Sequence, residues 1–203
     1  MSPHNSPSVS AAASVDRPTP DDIRTHIVEA ADTLFYNRGI QSVGMDALRE
    51  ASGVSLKKLY SVFPSKEDIV LAVLAHRHDL WTTGVTAKTA AAHSPTDRLL
   101  AIYDYLADWF ADDSFRGCGF INAFGELGAT SVPVAELARA HKITFQKFVA
   151  ELVEQAGAAP TLGPQLAILA EGAQTTAAIA GTGEAAGQAR GAAEILIEAA
   201  LPR

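Results

Sequence analysis

Between Met45 and Lys66 the chain reads MDALREASGVSLKKLYSVFPSK: a short amphipathic stretch to Ser52, a break at Gly53-Val54-Ser55, and a second short stretch that Pro64 ends. Gly53 gives the break a backbone without a β-carbon, Val54 is an apolar plug, and the Ser55 hydroxyl is placed to cap the stretch that follows. The pattern predicts helix, tight turn, helix. Leu48, Ala51, Val54, Leu59 and Phe63 form its apolar side, which leaves Leu56, Lys57, Lys58, Tyr60 and Ser61 for the opposite face. On its own such a pair fits either an ordinary packed corner or a unit that reads nucleic acid.

The surrounding pattern is helical throughout. Ile23, Ile27, Ala30, Ala31, Leu34 and Phe35 recur at helical spacing over about 21–38, with Thr19 or Asp21 as cap and Arg38-Gly39 at the end. After Pro64, Ser65 restarts a fourth helix, with Glu67 and Asp68 where the dipole favours acids; it is expected to run to about Trp81. Beyond a soft Thr/Ala stretch, Pro95 opens a fifth with the stripe Leu99, Ile102, Tyr103, Leu106, Trp109 and Phe110. Helices follow at roughly 115–127, from Pro133 to near Gly157, at 164–180 and at 184–201. The expectation is an all-α fold of about nine helices without a strand: a disordered leader over 1–19, rich in Pro, Ser and Ala, a helix-turn-helix domain over 20–66 and a second helical domain over 67–203.

Charge and composition narrow the function. A net charge of −7 and a pI near 5.3 argue against a chain coated in positive charge, though not against a small basic reading head. From Phe148 onward the cations are Arg190 and Arg203 against six glutamates, so that end is not expected to meet phosphates. The longest apolar run, Ile69 to Ala75, falls far short of the ~20 residues of a membrane span. One cysteine makes no internal disulfide, and the first twenty residues lack the features of a secretory signal, so the expected location is the cytoplasm.

The string from Met45 to Lys66, preceded by one amphipathic helix and followed by Glu67-Asp68, resembles the DNA-binding domain of the TetR family of bacterial transcriptional regulators. The resemblance implies a repressor released from a palindromic double-stranded DNA operator by a small apolar or amphipathic ligand. It implies DNA contacts from Ser42, Ser55, Leu56, Lys57, Lys58, Tyr60, Ser61 and Lys66, with Tyr60 and Lys66 on phosphates and the first turns of the recognition helix in the major groove. Departures stand at Val43 and Gly44, where a Thr or Ser usually caps the second helix and binds phosphate, so either Ser42 serves or the contact is missing; others are Arg49, Lys57-Lys58 and Val62.

Phe115-Arg116-Gly117-Cys118-Gly119-Phe120-Ile121-Asn122-Ala123, with Glu126 and a later Ala140-His141, is similar to a segment of the effector domain in one subgroup of the same family. This implies a pocket among the middle helices and a homodimer through the last two. His141 lies on the apolar stripe of its helix, between Leu137 and Phe145, and Asn122 one turn from Cys118; together with Trp109, Phe120 and Phe145 they are the candidate effector residues, each weighed against a plain core role. Ala156 to Ala200 holds 16 Ala and 7 Gly, and small residues let helix axes approach. Leu166, Leu169, Ala173 and Ala177, with Ala189, Ala192 and Leu196, are the candidate dimer stripes of a four-helix bundle.

Other signals carry less. Gly181-Thr182-Gly183 opens a G-x-G-x-x-A string without the strand a dinucleotide site needs, and reads as a helix–helix turn. His76, His78 and Asp79 point to different sides of a helix, so no metal is expected, and Cys118 reads as a packed small hydrophobe. No cofactor or catalytic motif is recognised and no enzyme is expected. The rival reading is an all-α ligand carrier or enzyme that does not bind DNA.

Overall fold

A computed structural model describes residues 19–201; the expected leader lies outside them except for Thr19. Among the described residues there are nine helices and no strand: α1 (Pro20–Arg38), α2 (Met45–Ser52), α3 (Leu56–Val62), α4 (Lys66–Ala90), α5 (Pro95–Phe110), α6 (Gly119–Leu127), α7 (Val132–Gln155), α8 (Leu162–Ala180) and α9 (Glu184–Ala200). None is long and apolar enough to cross a membrane.

The starts follow local chemistry. Thr19 caps α1 and Ser65 caps α4, each in a reciprocal box with the carboxylate three residues on, Asp22 and Asp68. Ser55 caps α3, accepting from the Lys58 N–H at 3.2 Å. Gly53 ends α2 at φ 63°, a left-handed conformation that a β-carbon disfavours. Past Trp81, α4 continues for nine more residues, because Val85 and Thr89 are buried against the α5 side and the Thr89 hydroxyl bonds the Thr86 carbonyl. Tertiary burial there overrides the weak helix preference of Thr.

Two apolar cores share the molecule. One joins α1–α3 and the first half of α4 to α6 and the start of α7, around Leu48, Leu59, Phe63 and Ile69, all 1% exposed or less. The other packs the end of α4 with α5, the rest of α7, α8 and α9, where the buried Tyr103 hydroxyl donates to the Leu166 carbonyl at 2.8 Å. The packing changes partway along α4, beyond the expected 66/67 boundary, and α6 sides with the N-terminal helices.

This arrangement corrects part of the proposed dimer stripe. Leu166, Ala173, Ala177 and Ala189 are buried inside the protomer, because the small side chains bring α8, α9 and α5 together within one chain. Leu169, Ala192 and Leu196 are half-buried at its margin. The outer face carries Ile168, Ile179 and Ile195 instead, 69–83% exposed.

Candidate nucleic-acid interface and ligand cavity

On α3, Leu59 is fully buried and fixes the roll of the helix, turning Leu56 (37% exposed), Lys57, Tyr60 (46% exposed) and Ser61 outward. Lys58 is half-buried, and the Ser61 hydroxyl donates to its carbonyl at 2.7 Å. Ser55 is exposed at the same end. The face is thus amphipathic and basic, with Lys57 exposed and Lys58 half-buried.

Two residues expected on this surface are engaged elsewhere. The Ser42 hydroxyl donates to the carbonyls of Arg38, at 2.6 Å, and Gly39, so it closes the end of α1 rather than capping α2. The α2 cap is Gly44, with no side-chain bond. The Lys66 ammonium donates to the Ile40 carbonyl at 2.6 Å and lies 5.9 Å from the centre of the Phe35 ring. Burial lowers its pKa, partly opposed by the Glu126 carboxylate.

Glu126, at the far end of α6, is the second hold on this α1–α2 loop. Its Oε1 and Oε2 accept from the N–H groups of Ile40 (2.9 Å) and Gln41 (2.8 Å), and its carbonyl accepts from the Gln41 side chain. Gly39 makes the approach possible: it sits at φ 80°, and a β-carbon there would stand 3.3 Å from the Glu126 carboxylate. The contact spans 86 residues of sequence, and no local pattern announces it.

Above this junction lies a cavity of about 130 Å³, bounded by Asp32 of α1, Arg77, Leu80 and Trp81 of α4, Tyr105 and Trp109 of α5, the start of α6, and His141 of α7. It brings together Trp109, Phe120 and His141 of the expected set. Asn122 does not line it: its amide donates to the Arg116 carbonyl at 3.1 Å, and it borders a smaller hollow of about 30 Å³ between α1, α4 and α6. Phe145 also stands back, packed edge-on against Trp81 with centroids 4.9 Å apart. The sequence reading missed Arg77, Trp81, Tyr105 and Asp32, which sit on three helices and become neighbours only through the fold.

His141 is buried and aromatic on all sides. It stacks on Phe120 at 3.8 Å and 5°, meets Trp81 edge-on at 5.4 Å, and its Nδ1 lies 2.9 Å from the Nδ1 of His78, so one ring donates to the other. Burial first, then the charges of Lys142 and His78, lower its pKa to about 3. It is neutral at physiological pH. Arg77 is paired through Nε and Nη2 with both oxygens of Asp32 and lies 3.5 Å over the Tyr36 ring. The Tyr36 hydroxyl in turn donates to the Gly117 carbonyl at 2.6 Å and accepts from the Arg116 N–H, linking α1 to the loop before α6.

The fold has counterparts in known proteins. A family model described as bacterial regulatory proteins of the tetR family matches residues 27–73, and one described as a tetracyclin repressor-like C-terminal domain matches residues 95–193. The chain belongs to the TetR family. A TetR-family transcriptional regulator from Streptomyces coelicolor superposes with a TM-score of 0.83 at 26% identity, over 89% of this chain and 96% of that one. A TetR-type regulator from Streptomyces avermitilis gives 0.75 at 28% identity, over 88% and 97%. In sequence, the chain is 33% identical over 94 residues to the HTH-type transcriptional activator FasR of Mycolicibacterium smegmatis, 46% of this chain and 43% of that protein. It is 26% identical over 104 residues to the regulator EthR of Mycobacterium tuberculosis, 40% of this chain and 48% of that protein. The match thus spans less than half the length of either curated relative.

Proposed function

We propose that this TetR-family chain is a homodimeric transcriptional repressor that binds a palindromic double-stranded DNA operator and releases it when a small apolar or amphipathic molecule occupies the cavity. The observation that carries the reading is the outer face of α3: Leu56, Lys57, Tyr60 and Ser61 are exposed side by side on a helix whose other side is locked by Leu59. Such a face offers hydrogen-bond donors to guanine or phosphate and an apolar contact for a thymine methyl. Ser55 and Lys58 flank it, while Ser42 and Lys66 act by shaping the loop beneath.

One short helix reads too few base pairs for specificity, and two copies related by a two-fold axis would present recognition helices ~34 Å apart. The partner surface is the outer side of α8 and α9. Ile168 and Ile179, eleven residues apart, share one face of α8, and Ile195 is exposed on α9. Leu169, Ala192 and Leu196 form the margin of this surface.

The cavity is built from α1 and α4 as well as from the effector helices, and α6 grips the α1–α2 loop through Glu126. A ligand that spreads these elements changes the posture of α3, an effect on the scale of a ~1–3 kcal/mol coupling. His141, its Nδ1 engaged by His78, offers its other nitrogen to a polar group of the ligand. The test is a gel-shift titration against the DNA upstream of the chain's own gene, with and without ligand. Saturable binding well above that to a random duplex is the expected result; ligand binding with no such preference would instead favour the all-α carrier.

A further inference from the structure

The polar corner of the cavity narrows the chemistry of the ligand, an inference that rests on the ligand-controlled reading above. Two positive features meet there. Arg77 projects against the start of α6, so closely that a β-carbon on Gly119 would lie 2.9 Å from the Arg77 Cδ and 3.8 Å from Nη1. The first turn of α6 has no side-chain cap, which leaves its N–H groups open beside the part of the wall formed by Cys118, Gly119 and Phe120. Lys142 stands outside this lining, within 3.9 Å of the Cys118 sulfur, and its charge is met by Glu171 at 3.4 Å.

Against these stands one acid among the described lining residues, Asp32, and it is already committed to Arg77. A cation entering the cavity would meet the guanidinium and the helix terminus with no free counter-charge. An anion would meet the helix terminus favourably and compete with Asp32 for the guanidinium, whose fork a carboxylate matches. The remaining walls are the rings of Trp81, Tyr105, Trp109 and Phe120. The volume, about 130 Å³, is on the scale of the ~150 Å³ apolar cavities that admit a single benzene ring.

We propose that the cavity takes a one-ring aromatic carboxylate, with the ring between the aromatic walls and the carboxylate on Arg77 in place of Asp32. The exchange is also a trigger. Asp32 belongs to α1 and Arg77 to α4, so replacing their pair by a ligand pair unties the helix that supports the DNA-reading unit from the helix that leads into the effector core.

The test uses the full chain without DNA, titrated calorimetrically with benzoate, its neutral amide benzamide and the cation benzylamine. Benzoate is expected to bind at least about tenfold tighter than either. Asp32→Asn, which removes the competitor and keeps the shape, is expected to bind benzoate about tenfold tighter still, and Arg77→Gln to lose the preference. Equal binding of benzoate and benzamide, no binding of benzoate, or a benzoate affinity that Asp32→Asn leaves unchanged or weakens would overturn the proposal. Should Arg77→Gln fail to fold by circular dichroism, the benzoate-to-benzamide ratio and Asp32→Asn decide the matter. A parallel gel shift keeps the two readings apart: operator binding without benzoate preference sinks the ligand class alone, and benzoate binding without operator binding sinks the regulator reading alone.

Discussion

Lys57 and Lys66 carry the same charge a few residues apart, yet their surroundings assign them different work. Lys57 stands exposed on α3, while Lys66 is drawn onto the Ile40 carbonyl and desolvated. Lys57→Ala is expected to weaken binding to all duplexes alike and to reduce the salt slope by about one, read by anisotropy between about 50 and 200 mM salt. Lys66→Ala is expected to lower stability by about 1 kcal/mol by leaving that carbonyl without its partner, a change seen in thermal melts. His141 adds a pH dependence. Its folded pKa, about 3, lies below the unfolded value near 6.5, so between these limits the unfolded chain binds more protons and folding weakens as pH falls. The chain is expected to be about 1–2 kcal/mol less stable at pH 5 than at pH 7 on this account, and urea titrations of His141→Gln should show most of that difference gone.

Among the elements, α6 does more than its nine residues announce. Its N-terminus forms part of the cavity wall and its C-terminus, through Glu126, holds the loop between α1 and α2. Glu126→Gln keeps the shape but removes the charge and one accepting oxygen, and is expected to cost about 1–3 kcal/mol, with faster hydrogen exchange at the Ile40 and Gln41 amides as the specific signature. The helices themselves were legible because caps, prolines and apolar spacing are local. The helix, tight turn and helix followed from Gly53, Ser55, Pro64 and the apolar spacing, whereas the DNA-reading role rested on the resemblance of the whole string from Met45 to Lys66. The length of α4 was not legible, since nothing near Thr82 or Thr83 tells that Val85 and Thr89 will be buried by α5. The capping role of Ser42 was misread for a related reason: a hydroxyl three residues before a helix suits either end of the loop, and here it bonds the carbonyls of α1. Of the cavity, Trp109, Phe120 and His141 could be picked out as apolar-face residues, whereas Arg77 and Asp32 look like ordinary surface charges until the fold joins them.

At the scale of the whole molecule, small residues on α8 and α9 signalled close helix packing but not which helices would meet. Periodicity gives faces, and Ala-rich helices have two that look alike. Ala177 is buried in the protomer and Ile179 is exposed on the opposite side, so the two variants separate the roles. Ala177→Glu is expected to cost several kcal/mol through an unpaired buried charge and to unfold the chain. Ile179→Glu should leave a folded monomer in sedimentation, with operator affinity lost. In the proposed function, two such chains grip one duplex through exposed α3 faces and release it on occupancy of the cavity. The most direct measurement of this is an anisotropy titration on the duplex upstream of the gene, with stoichiometry read at saturation and repeated with benzoate. Two chains per palindromic operator, steep weakening with salt, and dissociation as benzoate rises are the expected result. Binding no tighter than to a random duplex would contradict it.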